Sequence, residues 1–131
     1  MPFTVVSQQV EAYGGIVTDH SFSSLEIKPG FAAHLPANAT RKELIVDMRR
    51  LDGILADLGV AKVDLLSVDV EGWELEVLRG FDTNRIECPI IVLENFNHEP
   101  SYADYMRGIG YDLARMIEYN YVFTKSGTAG G

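Results

Sequence analysis

Cysteine is nearly absent: Cys88 stands alone among 131 residues, so no internal disulfide can close. A chain that does without disulfides suits a reducing compartment, and a cytoplasmic location is expected. Positive charge is also short, with 11 Lys and Arg against 19 Asp and Glu and a net charge of −8. Such a chain repels phosphate backbones and anionic headgroups, so neither nucleic acid nor a membrane surface is an expected partner. Long apolar runs are missing too; the longest, Ile90–Leu93, is far too short to cross a bilayer. Met1–Val6 shows no basic region ahead of an apolar one, hence no signal peptide. The histidines lie at no metal spacing from one another or from Cys88, which leaves zinc without support, and no metal is expected.

What is present suffices for one domain over residues 1–131, with no linker and no internal repeat. Residues 1–42 are weakly patterned and read as irregular, apart from a strand remnant at Phe3–Val6 and turn signals at Tyr13-Gly14-Gly15 and Lys28-Pro29-Gly30. From residue 43 to 125 the pattern is regular. Leu44–Met48 reads as a short strand. Leu51, Ile54, Leu55 and Leu58 make the stripe of an amphipathic helix that Gly59 stops. Val63–Val70 and Pro89–Glu94 read as buried parallel strands, with a helix over Gly72–Arg79 between them. Ser101 and Asp104 have capping-box spacing ahead of the stripe Tyr102, Tyr105, Met106 and Ile109. Tyr111–Ile117 and Tyr121–Thr124 read as strands joined by a tight turn, and residues 126–131 as a disordered tail. The fold class is therefore α/β, a mostly parallel sheet closed by a C-terminal antiparallel hairpin.

Chemistry concentrates at two strand ends. Asp69, Glu71, Gly72 and Glu74 follow the first parallel strand. Ligands of open α/β sheets bind outside the carboxyl ends of the strands, which places Asp69 at a functional position. Gly72 admits a tight turn or a ligand close to the backbone. Glu71 and Glu74 also lie where acids offset a helix macrodipole. Glu74 falls inside the apolar arc of its helix, so it needs either a partner or a water-filled cleft. Glu94, Asn95, Asn97 and His98 follow the second strand and would face the same crevice if the strands are neighbours. Asn95 can both donate and accept, His98 could act as a general base, and Asn95 and Asn97 also have a plain reading as turn residues. Ser67 lacks nucleophile-elbow glycines, and Cys88 reads as packing.

These landmarks resemble the FkbM methyltransferase family. Leu51-Asp52 opens a short helix; Asp69, Glu71, Gly72, Glu74, Val77, Leu78 and Gly80 follow in order; then come Glu94-Asn95, Gly110-Tyr111 and Asn120. The resemblance implies a class I methyltransferase (Rossmann-like) fold, S-adenosylmethionine as cofactor, and O-methylation of a small-molecule or sugar hydroxyl. It implies catalytic roles for Asp69, Glu94 and Asn95, cofactor contacts at Asp69, Glu71 and Gly72, and acceptor contacts at Glu74, Asn97 and His98. Methyltransferases of this fold approach the cofactor through a Gly-rich turn and hold its ribose with an acid; neither is found before Leu44, where Gly14-Gly15 and Asp19 follow no clear strand. The chain is thus expected to be the C-terminal part of such a domain and inactive by itself. Two other readings stay open: a non-catalytic α/β module that acts by association through an open sheet edge, and a divalent-cation site of Asp69, Glu71 and Glu94, since oxygen-only sets suit hard cations.

Overall fold

The computed structural model describes residues 2–12, 15–19, 40–45 and 48–127. The chain divides into two compact units, Met1–Met48 and Arg49–Gly131. In the first, β1 (Pro2–Ala12), β2 (Gly15–Asp19) and β3 (Thr40–Ile45) form an antiparallel sheet of order β2-β1-β3. β1 pairs with β2 in the register Ala12↔Gly15 and with β3 in the register Pro2↔Ile45. This corrects the irregular reading of residues 1–42. It also places a strand before Gly15 and before Asp19, and moves the predicted Leu44–Met48 strand towards the N-terminus. The pairing of β1 with β3 is non-local, and Ser7, Gln8 and Gln9 dilute the apolar alternation that would have announced β1. His20 and His34 lie outside the described residues.

The second unit carries the regular elements: α1 (Leu51–Asp57), β4 (Leu65–Val68), α2 (Glu74–Arg79), β5 (Ile90–Glu94), α3 (Pro100–Gly108), β6 (Tyr111–Ile117) and β7 (Asn120–Lys125). The sheet is four-stranded, mixed and open, of order β4-β5-β7-β6. β4 and β5 are parallel, with Val68 opposite Leu93. β7 is antiparallel to both β5 and β6, so it is the one reversed strand. The predicted hairpin is therefore present, with its second strand inserted beside β5.

Registry decides which side chains meet. Leu93 faces Tyr121, and Ile91 faces Phe123, on the side that carries the core. Leu78 of α2 and Tyr102 and Met106 of α3 belong to the same core, with Leu51 and Leu55 of α1 packed against it. The opposite face holds Ile90, Val92 and Val122, which are only half-buried, and Leu65, which is 53% exposed. The expectation that both parallel strands are buried on both faces is corrected: β4 and β5 bury one face, because all three helices contribute to a single core.

Helix ends follow local chemistry. α1 begins beside Gly80, whose carbonyl accepts from Asp52 N at 2.9 Å. The buried Asp52 carboxylate accepts from Asp82 N at 2.9 Å and from Arg50 Nη2 at 2.8 Å, which ties the start of α1 to the segment after α2. The Arg50 hydrogen bond holds the Asp52 carboxyl below its ordinary value. α3 starts at Pro100 with Glu99 as N-cap and no side-chain cap, so the Ser101–Asp104 capping box is not formed; Asp104 pairs with Arg107 instead. A proline in the first turn suits a helix start, because its missing N–H would have had no helical acceptor there. Ser126 N donates to Gly110 O at 2.8 Å, so the predicted tail begins with an anchored residue; residues 128–131 lie outside the described part. Cys88 is fully buried and donates to Ile90 O at 3.3 Å.

Phe123 is the fully buried ring at the middle of the sheet. Phe123→Ala is expected to destabilise this unit by about 3–5 kcal/mol, through lost transfer energy and the cavity left behind. Denaturant unfolding measures the change. A loss below 1 kcal/mol would mean the core re-forms around the gap.

Candidate functional site

β4 and β5 end side by side, so the parallel register brings Asp69 and Glu94 to one edge of the sheet. The β6–β7 turn reaches the same edge, because Glu94 is opposite Asn120 and Asn95 N donates to Tyr119 O at 2.7 Å. Glu71 and Gly72, in the β4–α2 turn, both have positive φ, 55° and 97°. Left-handed backbone is easy for glycine and costs a glutamate roughly 1 kcal/mol. This conformation brings the Glu71 carboxylate back toward the strand ends. Asp69, Glu71 and Glu94 each offer an oxygen within 4.8 Å of the others.

The crowding has electrostatic consequences. Burial, then a hydrogen bond with Asp69 and the charges of Asp69, Glu71 and Glu74, push the Glu94 carboxyl up to about 8. Burial, then the charges of Asp69 and Glu74, push Glu71 up to about 7. Like charges in a partly dry site cannot all be ionised at neutral pH, so protons are retained there. A bound cation would relieve the same repulsion. The set fits the positive sulfonium and amino groups of S-adenosylmethionine, and its oxygen-only chemistry would also admit a hard divalent cation.

Glu74 lies elsewhere than the substrate-facing position drawn from sequence. It is 1% exposed, and its Oε1 accepts from Val70 N at 3.1 Å and from Gly72 N at 3.4 Å. Its Oε2 accepts from the Tyr102 hydroxyl at 2.7 Å. This is the partner that a carboxylate on an apolar helix face requires. With both oxygens engaged inside the protein, Glu74 holds the β4–α2 turn. Asn95 is engaged within the protein in the same way. It is 1% exposed, its Nδ2 donates to Glu99 O at 2.9 Å, and its Oδ1 accepts from Glu99 N at 2.8 Å. It locks the loop after β5, in line with the turn reading. Asn97 is exposed at that loop. His98 is exposed, has φ 51°, and shares a 2.7 Å hydrogen bond with the Tyr121 hydroxyl through Nδ1. Its ring lies 5.4 Å from that of Tyr119, which in turn lies 5.2 Å from Phe96, so one side of the edge is aromatic.

Three contributors were not singled out from the sequence: Tyr102, Tyr119 and Tyr121. Tyr102 was legible in principle, since a phenol within an apolar helical stripe needs an acceptor just as Glu74 needs a donor.

The two raised carboxyls set a pH dependence. Their folded values exceed the ordinary 4.5, so the folded chain binds more protons than the unfolded chain between that value and about 7 to 8. Stability is then greatest at the acid end of this window and falls as pH rises through it. Asp52 acts oppositely, but its lowered value puts its effect at more acid pH. The melting temperature is expected to fall between pH 5 and pH 8, with the slope reduced in the Glu71→Gln, Glu94→Gln double variant. A melting temperature that rises over this window would show the carboxyls to be ordinary.

The sequence model of the Methyltransferase FkbM domain matches residues 5–121, through both compact units. Methyltransferase sdnD of Sordaria araneosa is 34% identical over 82 residues, covering 53% of this chain and 32% of that protein. The chain thus spans about a third of the length of this curated relative. No solved structure matches. The match runs through most of the chain and takes in the strand ends that carry the acidic cluster: the chain belongs to the FkbM methyltransferase domain family.

Proposed function

We propose that residues 49–127 form the acceptor side of a class I, Rossmann-like methyltransferase site that uses S-adenosylmethionine to methylate a hydroxyl of a small molecule or sugar. The observation that carries this reading is the cluster of Asp69, Glu71 and Glu94 at the carboxyl edge of a parallel strand pair, in a chain of the FkbM family. Bound S-adenosylmethionine supplies an electrophilic methyl group on a positively charged sulfur. Asp69 and Glu71 would hold that positive charge, and the left-handed Gly72 keeps the turn beside it free of a side chain. Glu94, pushed up to about 8 by burial and the neighbouring acids, would take up the proton of an acceptor hydroxyl in its ionised form, which the charge of a bound cation favours. Asn97 and His98 would meet the acceptor at the rim, along the aromatic side.

We further propose that both units belong to one methyltransferase domain, since the family match runs from 5 to 121. The Gly-rich cofactor turn and ribose acid would come from residues other than these, because Gly15–Asp19 forms a strand paired antiparallel to β1. A cytoplasmic setting is part of the proposal; among the described residues no helix is long and apolar enough to cross a membrane.

Titration of S-adenosylmethionine into the 131-residue chain is expected to show weak binding or none by calorimetry. Saturable low-micromolar binding would place a complete cofactor site within the chain. In an enzyme that carries this segment with a full cofactor site, Asp69→Asn is expected to slow methyl transfer by roughly 10²–10⁴-fold, the scale of a positioned acid or base. Transfer of tritiated methyl to a panel of sugar and polyketide alcohols reads this out. A nearly unchanged rate would remove Asp69 from the chemistry and leave Glu94 as the acting carboxylate.

A second reading, a non-catalytic association module, is favoured by the exposed apolar side chains Leu65 at 53% and Ile117 at 52% on β4 and β6, the two outer strands of the sheet. Unpaired strand edges with apolar flanks promote pairing. Sedimentation over a concentration series is expected to show self-association that Leu65→Lys weakens. A monomer at every concentration would end this reading.

A further inference from the structure

The two loops that present the acidic cluster are both fastened to the same turn of α3. Asn95, next after Glu94, bonds the backbone of Glu99 in both directions, at 2.9 and 2.8 Å. Glu99 is the N-cap of α3, and Tyr102 N donates to its carbonyl at 3.3 Å. Three residues into the helix from that cap, the Tyr102 hydroxyl donates to Glu74 at 2.7 Å, and Glu74 accepts from Val70 N and Gly72 N on either side of Glu71. The path from Glu94 to the β4–α2 turn is therefore Asn95, Glu99, Tyr102, Glu74, and the side chains of Asn95, Tyr102 and Glu74 are each at most 5% exposed. We propose that Tyr102 is a positioning residue: its hydroxyl, acting through Glu74, holds the turn that carries Asp69 and Glu71 at a fixed separation from Glu94.

The geometry favours a positioning role over simple packing. The Tyr102 ring belongs to the core, where phenylalanine would fill the same space. The hydroxyl adds a directed bond to an oxygen that no other described group serves, and an unserved buried polar atom is costly. Burial, then the bond to Glu74, pushes the phenol well above its ordinary value, so Tyr102 stays protonated and remains a donor throughout the working pH range. The loops it ties carry two of the three left-handed non-glycine residues among the described ones, Glu71 and His98; the third, Glu118, is in the β6–β7 turn. Such backbone persists only where surrounding bonds enforce it. The inference deepens the proposed methyltransferase site, whose carboxylates it positions, but its test requires neither cofactor nor acceptor.

Tyr102→Phe keeps the ring and removes the donor. The full chain, labelled with ¹³C, allows the Glu94 side-chain carboxyl to be followed against pH. In the unaltered chain burial and the neighbouring acids push this carboxyl up to about 8, and its midpoint is expected there. In Tyr102→Phe the midpoint is expected to fall by roughly one unit, because a released turn lets Asp69 and Glu71 move away and admits water. Amide exchange at Val70 and Gly72 is expected to quicken by roughly tenfold, as local opening becomes easier. Tyr105→Phe, on the same helix but with its ring beside Arg79 at 5.7 Å, is expected to change neither. An unmoved Glu94 midpoint in a folded Tyr102→Phe chain overturns the proposal. So does a Tyr102→Phe chain that no longer folds, since the hydroxyl would then serve the core as a whole. A nearly unchanged methyl-transfer rate in Asp69→Asn with these NMR results intact would fail the functional reading and leave the strut standing, because the strut is read in the absence of both substrates.

Discussion

Glu74 accepts two backbone amides through one oxygen and a phenol through the other, all within the protein. A carboxyl group 1% exposed would be costly without donors, and with three it becomes the fastening of the turn before it. The turn needs one. It passes through two consecutive left-handed residues, Glu71 and Gly72, and only the second is glycine. The bonds at Val70 and Gly72 bracket the strained residue and hold it. Because α2 begins at Glu74 itself, the group that secures the turn is carried by the helix that the turn introduces. Strand end, turn, helix start and α3 are thereby one mechanical unit.

That unit brings acids together against their own repulsion. Asp69, Glu71 and Glu94 offer oxygens within 4.8 Å of one another, and burial with this crowding pushes the Glu71 and Glu94 carboxyls up. Removing one carboxylate would relax the others. A site that must hold a positively charged group and also take up a proton gains both from the same arrangement. The negative field favours the cation, and crowding lifts one carboxyl into the range where proton transfer near neutrality is effective. A single isolated acid at ordinary acidity would serve the first need and not the second.

The sequence disclosed the second unit well because its signals are local. Leu51, Leu55 and Gly59 mark α1; the apolar run Ile90–Leu93 marks β5; Gly110 and the residues Glu118–Asn120 punctuate the last strands. The parallel neighbours β4 and β5 follow from one helix placed between two apolar runs. What was not legible depends on distant partners. The first half of β1 pairs with β3, more than thirty residues away, and nothing in Ser7-Gln8-Gln9 announces the strand, although its second half forms a local hairpin with β2. Asp52 appears in sequence as half of a family dipeptide, and only the fold shows that it accepts from Asp82 N thirty residues on. Glu74 and Asn95 looked like ligand-facing groups because a polar residue at a strand end is ambiguous until its donors are located. The alternation of β4 misled for another reason: Leu65 reads as buried, but the face to which it belongs is half-open in the second unit.

The one-sided core and the fastened edge are connected. All three helices of the second unit contribute to the core that contains Ile91, Leu93 and Phe123, so α2 and α3 share that core and their N-terminal ends follow directly on the carboxyl ends of β4 and β5. That proximity is what lets a phenol on α3 reach a carboxyl at the start of α2. Helices divided between two faces would have the sheet between them, and no side chain could bridge them. Packing on one face is therefore the condition for the bond that shapes the acidic edge, and it leaves Ile90, Val92 and Val122 of the other face only half-covered. Moving α2 or α3 to the second face would uncover the present core and part the Tyr102 hydroxyl from Glu74, releasing the loops that carry the acidic edge.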